Sequence, residues 1–322
     1  MEPFVSIIVP TKNNENLMER CMRSLTDLDY PKDRYEVIVV DARSRDKTPE
    51  IAVRYGARVL VDEGKGRSIA LNLGVQFSKG DYVAFTDADC SPERSWLRRL
   101  LEHFSSQEVA GVGGPNIVPK EGNPFSRAVE FVSLQSPYAK KFDAEGEVET
   151  IAGCNSMYDA EILKKFMPLP QIGYYEDTLL NYRIRKAGFK ILSAPNAIVW
   201  HYRHYSGPRS FFRQMLMQGA GEIQGTRLER GLKNTLHRLE GFSVPLFVVV
   251  FLFLLFVGVK ALIAFLLFVV CVLAILSVRC LIETRSFRVT SWVPLVAIIE
   301  GAGYSSGFIK EILRSRGGDE PR

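Results

Sequence analysis

The sequence has few cysteines and lacks a cysteine pairing motif. Its five cysteines stand far apart, with no Cys-x-x-Cys pair: Cys21, Cys90, Cys154, Cys271 and Cys280. Such usage is typical of reduced thiols in a cytosolic compartment rather than of a secreted disulfide scaffold. The first residues, MEPFVSIIVPTKNN, also lack the basic segment and apolar stretch of a signal peptide. We therefore expect the first half of the chain to remain in the cytosol.

A basic stripe with interleaved aromatic residues is also missing from the polar first half, which argues against nucleic acid as a partner. The net charge is +5, and the excess lies largely between Arg203 and Arg238 and after Arg279. These positions flank the apolar part of the chain. Since anionic lipid headgroups attract Lys and Arg beside a membrane segment, the charge pattern predicts membrane lipids as partners.

Long apolar runs are confined to the C-terminal third. Between Ser243 and Val278, a stretch of 36 residues, the single charge is Lys260. One helix of that length would measure about 54 Å, at ~1.5 Å per residue, against a hydrocarbon core of ~30 Å. We therefore expect two spans, 243–258 and 261–278, joined by a tight hairpin.

A third, less apolar span is predicted at 290–309. It carries Glu300 near its middle, which we expect to face other helices or a polar cavity. Gly303 and Gly307 have the small-xxx-small spacing that allows close helix packing. The alternative is an interfacial helix that does not cross, because three crossings would place Lys310 and the arginines after it outside, against the positive-inside bias.

The first half alternates short Val/Ile-rich runs with stretches of helical spacing. The predicted strands are 5–10, 36–40, 57–61 and 82–87, with a last strand at 197–200. This alternation predicts a parallel α/β sheet, in which ligands bind at the carboxyl ends of the strands. Polar residues follow each of the first four strands at once, so we expect a site at that edge.

The fourth run, YVAFTDADCSP, ends in two carboxylates, Asp87 and Asp89. A lone Asp-x-Asp is short and common, and solvated or capping carboxylates are its ordinary explanation. Here a strand delivers the pair to the ligand edge, near the basic loop GKGR. Oxygen ligands of this kind suit Mg²⁺ or Mn²⁺ shared with substrate phosphates. A helix is expected to follow, with Ser91 as N-cap and Pro92 at its first position.

Four ordered segments resemble the family-2 glycosyltransferases, inverting enzymes of the GT-A fold that use nucleotide-activated sugars. They are VSIIVPTKNN, EVIVVDARSRDKT, GKGRSIALNLGVQFSKGDYVAFTDADC and GYYEDTLLNYRIRKAGFKI. The resemblance implies a Rossmann-like, mostly parallel α/β catalytic domain over 1–205. The rest of the chain is then expected to form amphipathic or interfacial linker helices at 206–241, a membrane domain at 242–309 and a polar tail at 310–322.

The same resemblance implies a role for each matching residue. A nucleotide pocket is implied for Pro10, Thr11 and Asn14, for Asp41, which would recognise the base, and for Asp46 close by; Lys65, Gly66 and Arg67 would border the diphosphate. Asp87 would face the ribose and a metal, and Asp89 would be the principal metal ligand. Asp177 would be the catalytic base, with Glu176 assisting at the acceptor side. His201 would be a third metal ligand, and His204 is the competing candidate.

These roles agree with what an inverting transfer needs. A carboxylate must take the proton of the acceptor hydroxyl on one face of the anomeric carbon, and a divalent ion must stabilise the diphosphate leaving on the other. We therefore expect Mn²⁺- or Mg²⁺-dependent transfer from a UDP- or GDP-sugar to a hydroxyl of a lipid-linked or membrane-proximal glycan, at the cytoplasmic face. A Gln-x-x-Arg-Trp motif is missing, which favours addition of a single sugar over polymerisation.

Three alternatives stay open at this point. A polyprenyl- or dolichyl-phosphate sugar synthase would not need Asp177, because a phosphate acceptor is already ionised near neutral pH. A catalytically dead subunit is disfavoured by the intact carboxylates, although Asp177 alone could be a first-turn residue that stabilises its helix. A Rossmann oxidoreductase is disfavoured because PTKNN stands where a Gly-x-Gly-x-x-Gly would follow the first strand.

Overall fold

The computed structural model describes residues 2–120, 122–135, 142–202, 205–229 and 243–316. The chain divides into two compact units. The first unit comprises Met1–Pro119 and Lys140–Arg203, and the second comprises Lys120–Ala139 and His204–Arg322. The expected catalytic domain, 1–205, therefore differs from the first unit by the segment Lys120–Ala139 and by its last two residues, which belong to the second unit.

The first unit is built around an eight-stranded sheet. Its strands lie in the order β3-β2-β1-β4-β9-β6-β10-β8. Their bounds are β1 Val5–Thr11, β2 Tyr35–Asp41, β3 Arg58–Val61, β4 Tyr82–Thr86, β6 Val109–Gly113, β8 Gly146–Glu147, β9 Asn155–Asp159 and β10 Lys190–Ser193. A smaller sheet contains β5 Cys90–Pro92, β11 Val199–His201 and β7 Asn116–Ile117, in that order.

Strands β1 to β4 are mutually parallel, as predicted, and β6 pairs in parallel with β10. Between the two parallel groups lies β9, which is antiparallel to both β4 and β6. The sequence pattern predicted no strand there. Asn155 and Ser156 are fully buried in β9 although they are polar, and only Met157 and Tyr158 are apolar. The strand therefore lacks the Val/Ile-rich run by which the others were recognised.

Helices cover both faces of the sheet. In the first unit they are α1 Glu15–Thr26, α2 Thr48–Arg54, α3 Arg67–Phe77, α4 Trp96–Leu101, α6 Ala160–Lys165 and α7 Glu176–Lys186. Alternate residues of β1 serve the two faces: Val9 packs in one core cluster with Met18 of α1, and Ile8 in the other with Ala70 of α3. This period-2 burial on both faces is what a parallel strand between two helical layers requires.

The predicted helix start after the aspartates was wrong. Ser91 and Pro92 lie in β5, and α4 begins at Trp96 with Ser95 as N-cap. The reason is tertiary: β5 pairs with β11, a strand about a hundred residues later, in the register Cys90 with His201 and Pro92 with Val199. Pairing with so distant a strand outweighed a local capping signal.

The second unit is helical. Its helices are α5 Pro124–Ser133, α8 Pro208–Leu228, α9 Ser243–Val257, α10 Val259–Thr284, α11 Phe287–Thr290 and α12 Val293–Arg316. Two segments, Val259–Thr284 and Phe287–Arg314, are long and apolar enough to cross a membrane, judged by length and composition. Helix α9 is apolar as well after its first residue, Ser243, but its 15 residues span only about 22 Å.

The apolar helices differ from the predicted bounds mainly at their ends. The chain turns at Gly258, at a positive φ of 131°, and Phe247 and Phe265 lie on either side of the turn with ring centroids 5.3 Å apart. This is the expected hairpin. Helix α10 continues six residues beyond 278, and α12 runs to Arg316, so the first residues of the predicted polar tail are helical.

Close packing joins α8 to α12 through glycines on both helices. A Cβ at Gly307 would lie 1.8 Å from the Leu216 carbonyl oxygen, and one at Gly219 would lie 2.1 Å from that of Tyr304. The small-xxx-small spacing therefore does serve helix packing, as expected. Its partner is α8, in the segment 206–241 assigned to linker helices, of which residues 230–241 lie outside the described part of the chain.

Candidate active site

The ends of β1 and β2 carry the residues predicted to bind a nucleotide. Thr11 and Asp41 are register partners at the carboxyl ends of adjacent parallel strands, and both are buried. Pro10 precedes Thr11 in β1, and Asn14 donates a hydrogen bond of 3.4 Å to the Thr11 hydroxyl. The fold thus brings four of the predicted residues together.

Local hydrogen bonds hold the two carboxylates of this region. Asp41 Oδ2 accepts from the backbone N–H of Ser44 at 2.9 Å. Asp46 accepts from the backbone N–H groups of Thr48 and Glu15, and so connects the loop after β2 with the start of α1. Burial acts to raise the pKa of Asp46, but the hydrogen bonds from Thr48 and Glu15 outweigh it and hold the pKa below its usual value. In this structure Asp46 therefore orders the loop that follows β2.

The basic residues of the loop after β3 lie in two different environments, one exposed to solvent and one at the aspartates. Lys65 is exposed at 61% and forms an ion pair with Glu63. Gly66 adopts a φ of +129°, a left-handed conformation that glycine tolerates, as the N-cap of α3. The turn leaves Arg67 as the first residue of that helix. Of the predicted diphosphate residues, Arg67 is the one that reaches the aspartates.

The Arg67 side chain lies between two carboxylates from distant parts of the sequence. Its Nη2 donates to Asp87 Oδ1 and its Nη1 to Glu176 Oε1, both at 2.8 Å. A cation at a helix N-terminus is unfavourable with respect to the helix dipole. The two ion pairs offset that cost, and they join the end of β4 to the start of α7.

Gly153 completes the connection and was not identified from the sequence. Its carbonyl oxygen accepts from Arg67 Nη2 at 3.0 Å, and its backbone N–H donates to Asp177 Oδ2 at 3.1 Å. A Cβ here would lie 2.8 Å from Arg67 Nη1, so a side chain would displace the guanidinium. The stretch AGCN offered no spacing or charge signal that marks this glycine.

Asp177 lies in the first turn of α7. Its Oδ1 accepts the backbone N–H of Thr178 at 2.7 Å. The preceding N-cap, Tyr175, has a φ of +87°, a left-handed conformation that costs a non-glycine residue about 1–3 kcal/mol. Such strain is found where the surroundings impose it, often at functional sites. Here it turns Glu176 and Asp177 toward Gly153 and Arg67.

Burial strongly affects the ionisable groups around Arg67. It raises the pKa of the Glu176 carboxyl above its usual value, and the neighbouring Asp177 adds to the effect, although Arg67 opposes it. For Arg67, burial acts to lower the pKa, but the charges of Asp87 and Glu176 outweigh it and hold the pKa well above its usual value. The guanidinium therefore stays charged and compensates part of the cluster's negative charge.

Asp89 is the second aspartate of the segment Asp87-Ala88-Asp89, called the DAD motif below, and it contacts His201. His201 Nε2 lies 3.2 Å from Asp89 Oδ2, and the backbone N–H of Tyr202 donates to the Asp89 carbonyl at 2.8 Å. Carboxylate oxygens suit Mn²⁺ and Mg²⁺, and an imidazole nitrogen can complete such a donor set, so the chemistry of Asp87, Asp89 and His201 fits the expected divalent ion. Of these three, Asp89 and His201 are in direct contact, whereas Asp87 is held by Arg67. His204 lies outside the described residues.

The family model of Glycosyl transferase family 2 matches residues 6–167 of the chain. This range includes the ends of β1 to β4, Arg67, both aspartates of the DAD motif and Gly153.

Curated relatives match over most of the chain. Glycosyltransferase AglE of Haloferax volcanii is 30% identical over 71% of this chain and 76% of its own length. A Methanococcus voltae protein named dolichyl N-acetyl-alpha-D-glucosaminyl phosphate 3-beta-D-2,3-diacetamido-2,3-dideoxy-beta-D-glucuronosyltransferase is 27% identical over 97% of this chain and 98% of its own length.

Solved structures support the fold. Mannosyltransferase PcManGT from Pyrobaculum calidifontis, solved in complex with GDP-Man and Mn²⁺, aligns with a TM-score of 0.69 and 20% identity, over 98% of this chain and 88% of that one. S. aureus TarS 1–349 in complex with UDP-GlcNAc aligns with a TM-score of 0.53 and 18% identity, over 99% and 93%. At these identities the likeness concerns the GT-A architecture.

Proposed function

Because the chain belongs to glycosyl transferase family 2, we propose that it is an inverting enzyme that moves one sugar from a UDP- or GDP-sugar to a hydroxyl of a lipid-linked or membrane-proximal glycan. One observation carries the proposal. The Arg67 guanidinium lies 2.8 Å from both Asp87 and Glu176. This contact joins the DAD motif to the carboxylates of α7 in one site.

The nucleoside would bind at the ends of β1 and β2. Thr11 and Asp41 are adjacent there, with Pro10 and Asn14 beside them and Asp46 ordering the loop that follows. Uracil and guanine each carry a ring N–H that a carboxylate can accept, which makes Asp41 a suitable group for recognising either base. The diphosphate would extend toward Gly66 and Arg67, with Lys65 on the solvent side.

Asp87, Asp89 and His201 would hold Mn²⁺ or Mg²⁺. The ion, when bound, supplies neutralisation of the charge that grows on the diphosphate as it leaves. The protein's own contribution is rigidity: β4 fixes Asp87 and Asp89 from a buried strand, and the β5–β11 pairing fixes His201 opposite. Arg67 keeps Asp87 oriented by a charge-assisted hydrogen bond.

Asp177 would act as the general base. Its carboxylate would accept the proton of the acceptor hydroxyl as the oxygen attacks the anomeric carbon. The Gly153 N–H and the Thr178 N–H hold this carboxylate in one orientation. Glu176, engaged by Arg67, would position the acceptor side and couple it to Asp87 rather than take the proton itself.

Two features support a lipid-linked acceptor. The same chain carries two helices long and apolar enough to cross a membrane. The name of the Methanococcus voltae relative, which matches nearly the whole chain, gives a dolichyl-linked sugar phosphate as its acceptor. We propose a multi-pass protein with its catalytic unit in the cytosol. Proteolysis of sealed inverted membrane vesicles should then degrade the catalytic unit, and complete protection of that unit would contradict this orientation.

The experiment is a panel of nucleotide sugars offered to the purified full chain in detergent. Binding would be measured by calorimetry with Mn²⁺, with Mg²⁺ and with EDTA, and hydrolysis by release of nucleoside diphosphate. We expect one UDP- or GDP-sugar to bind and to be hydrolysed slowly with a divalent ion and not with EDTA. Failure of every donor to bind with either ion would refute the proposal.

A matched pair of variants distinguishes loss of the metal site from a general loss of folding. Asp89→Ala should abolish metal-dependent donor binding. Asp33→Asn, at an exposed aspartate outside the site, should leave binding and hydrolysis unchanged. Equal loss in both variants would show that the assay reports on folding rather than on the metal site.

A further inference from the structure

Three buried side chains behind the proposed metal site form a second cluster. They are Cys90, Cys154 and His201, which are 0%, 6% and 6% exposed. The two sulfur atoms and an imidazole nitrogen all lie within 4.8 Å of one another. The proposed sugar transfer uses neither thiol, so the cluster needs an explanation of its own.

The fold fixes all three positions. Cys90 begins β5 and His201 ends β11, and the two are direct register partners in an antiparallel pair. Direct partners project their side chains on the same face of a sheet. Cys154 precedes Asn155, whose amide donates to the carbonyls of Pro115 and Ala197 at 2.9 and 2.7 Å. The cluster is thus built on strand ends that hydrogen bonds hold in place.

The two nitrogens of His201 face different partners. Nε2 lies 3.2 Å from Asp89 Oδ2, whereas Nδ1 lies 3.9 Å from Cys154 Sγ. A neutral imidazole has one nitrogen available as an acceptor or ligand while the other donates, and the hydrogen bond of one nitrogen fixes the role of the other. When Nε2 carries the proton and donates to Asp89, the unprotonated Nδ1 faces Cys154. His201 can then serve this cluster through Nδ1 or the Mn²⁺ site through Nε2, and not both at once.

The donor set has a definite chemical preference. Two thiols and an imidazole suit Zn²⁺ and other thiophilic ions, whereas Mg²⁺ and Mn²⁺ prefer oxygen. Tetrahedral bonds of ~2.3 Å to sulfur and ~2.0 Å to nitrogen separate neighbouring ligand atoms by roughly 3.5–3.8 Å. The 3.9 Å between Cys154 Sγ and His201 Nδ1 is close to that separation, so small side-chain rotations would bring these ligands together around an ion.

We propose that Cys90, Cys154 and His201 Nδ1 form a binding site for a thiophilic divalent cation of the Zn²⁺ class. Each thiol releases its proton to solvent as its sulfur takes the ion. Asp89 lies beside the cluster, with its Oδ1 3.7 Å from Cys90 Sγ. An ion held through His201 Nδ1 therefore competes with the proposed Mn²⁺ site, which needs the same imidazole.

The first test reads the thiolate bonds directly and needs no sugar donor. The purified full chain, kept reduced with a phosphine, is titrated with Co²⁺ as a spectroscopic substitute for Zn²⁺. We expect a thiolate-to-cobalt charge-transfer band that saturates at one equivalent and disappears when Zn²⁺ is added. Absence of the band at saturating Co²⁺ overturns the proposal.

Variants assign the band to the cluster. Cys90→Ser and Cys154→Ser should each lose most of it, and His201→Ala should weaken Co²⁺ binding at least ~10-fold. Cys271→Ser, at an exposed cysteine of α10, should keep it. Asp89→Asn should keep the band as well, even if Mn²⁺ binding is lost. A band that survives Cys154→Ser contradicts the assignment.

A second measurement uses the wild-type chain alone, so that an unstable serine variant cannot obscure the result. Zn²⁺ should protect Cys90 and Cys154 from alkylation in partly denatured protein, as read by peptide mass spectrometry, and should leave Cys271 unprotected. Equal labelling of Cys90 and Cys154 with and without Zn²⁺ overturns the proposal.

An effect on activity rests on the proposed function. Micromolar Zn²⁺ should lower Mn²⁺-dependent donor hydrolysis several-fold in the wild type and much less in Cys154→Ser. If hydrolysis is never observed, the cobalt band still decides whether the cation site exists. If the band is missing while hydrolysis proceeds, the cation site is wrong and the transferase is not.

Discussion

Arg67 and Glu176, 109 positions apart in the sequence, are joined by a hydrogen bond of 2.8 Å between Nη1 and Oε1. The Glu176 side chain is only 8% exposed, and Arg67 is 26% exposed. The same guanidinium holds Asp87. One side chain thus sets the distance between the carboxylate assigned to the donor and those assigned to the acceptor.

Loss of Arg67 should destabilise the first unit. Arg67→Ala leaves Glu176 buried without its cation, and breaking a buried ion pair on one side costs about 3–5 kcal/mol. Arg67→Lys keeps the charge but cannot reach both carboxylates with two arms, so an intermediate loss is expected. Thermal unfolding in detergent measures both. Arg99→Ala, which breaks an exposed pair with Glu102, should change stability by less than about 1 kcal/mol.

Glu176 should make stability depend on pH. Burial raises its pKa in the folded state above the unfolded value of about 4.3, so the folded state binds the proton more tightly. The stabilisation is fully present below about pH 4.3 and is lost as the pH rises through the raised folded pKa. Glu176→Gln should therefore gain melting temperature relative to the wild type as the pH rises through that range.

The control for the pH experiment is Glu161→Gln, at an exposed carboxylate in the first turn of α6. The Glu176→Gln difference from the wild type should rise with pH more steeply than the Glu161→Gln difference. A Glu176→Gln difference that is no steeper than that of the control would contradict the raised pKa.

A side chain at Gly153 should damage the site more than the fold. The new Cβ of Gly153→Ala would meet the Arg67 guanidinium at 2.8 Å, and overpacking of this kind costs about 1–3 kcal/mol. Displaced Arg67 and Asp177 should lower donor hydrolysis by at least ~10-fold, since a small misplacement of catalytic groups is costly. The hydrolysis rate measures the damage to the site, and the melting temperature measures the damage to the fold. Gly173→Ala, with open space around it, should leave both near wild type.

Close packing of α8 on α12 should depend on Gly307. In Gly307→Ala the Cβ would overlap the Leu216 carbonyl oxygen, so one helix must shift, at a cost of about 1–3 kcal/mol. Thermal unfolding of the full chain in detergent checks this. Ser306→Ala, at the neighbouring exposed position, is the matched control. Equal stability of the two variants would show that the helices accommodate the methyl group by a small displacement.

The sequence predicted those parts of the site that follow from strand ends. Asp87 and Asp89 continue directly from a buried strand, and parallel strands present their carboxyl ends at one edge, so Thr11, Asp41 and the aspartates could be placed together. The arrangement of Arg67 with Glu176 could not be predicted in this way. It depends on contacts across 109 positions, which no local period or motif encodes.

The two strands that the sequence pattern did not predict, β5 and β9, were missed for the same reason. β9 begins with buried Asn155 and Ser156, and β5 holds Ser91 and Pro92. In each case polar or proline residues are placed by strands from elsewhere in the chain, such as β11. Local propensity therefore indicated a loop or a helix start, and tertiary pairing decided otherwise.

The most direct test of Asp177 as the general base is the effect of Asp177→Asn on donor binding and on turnover, measured in the same preparation. General-base catalysis predicts nucleotide-sugar binding with Mn²⁺ close to that of the wild type, and turnover with a hydroxyl acceptor lowered by about 10²–10⁴-fold. Near-normal turnover of Asp177→Asn, with Asp89→Ala inactive, would contradict it and would point to an acceptor that is already ionised, such as a polyprenyl phosphate.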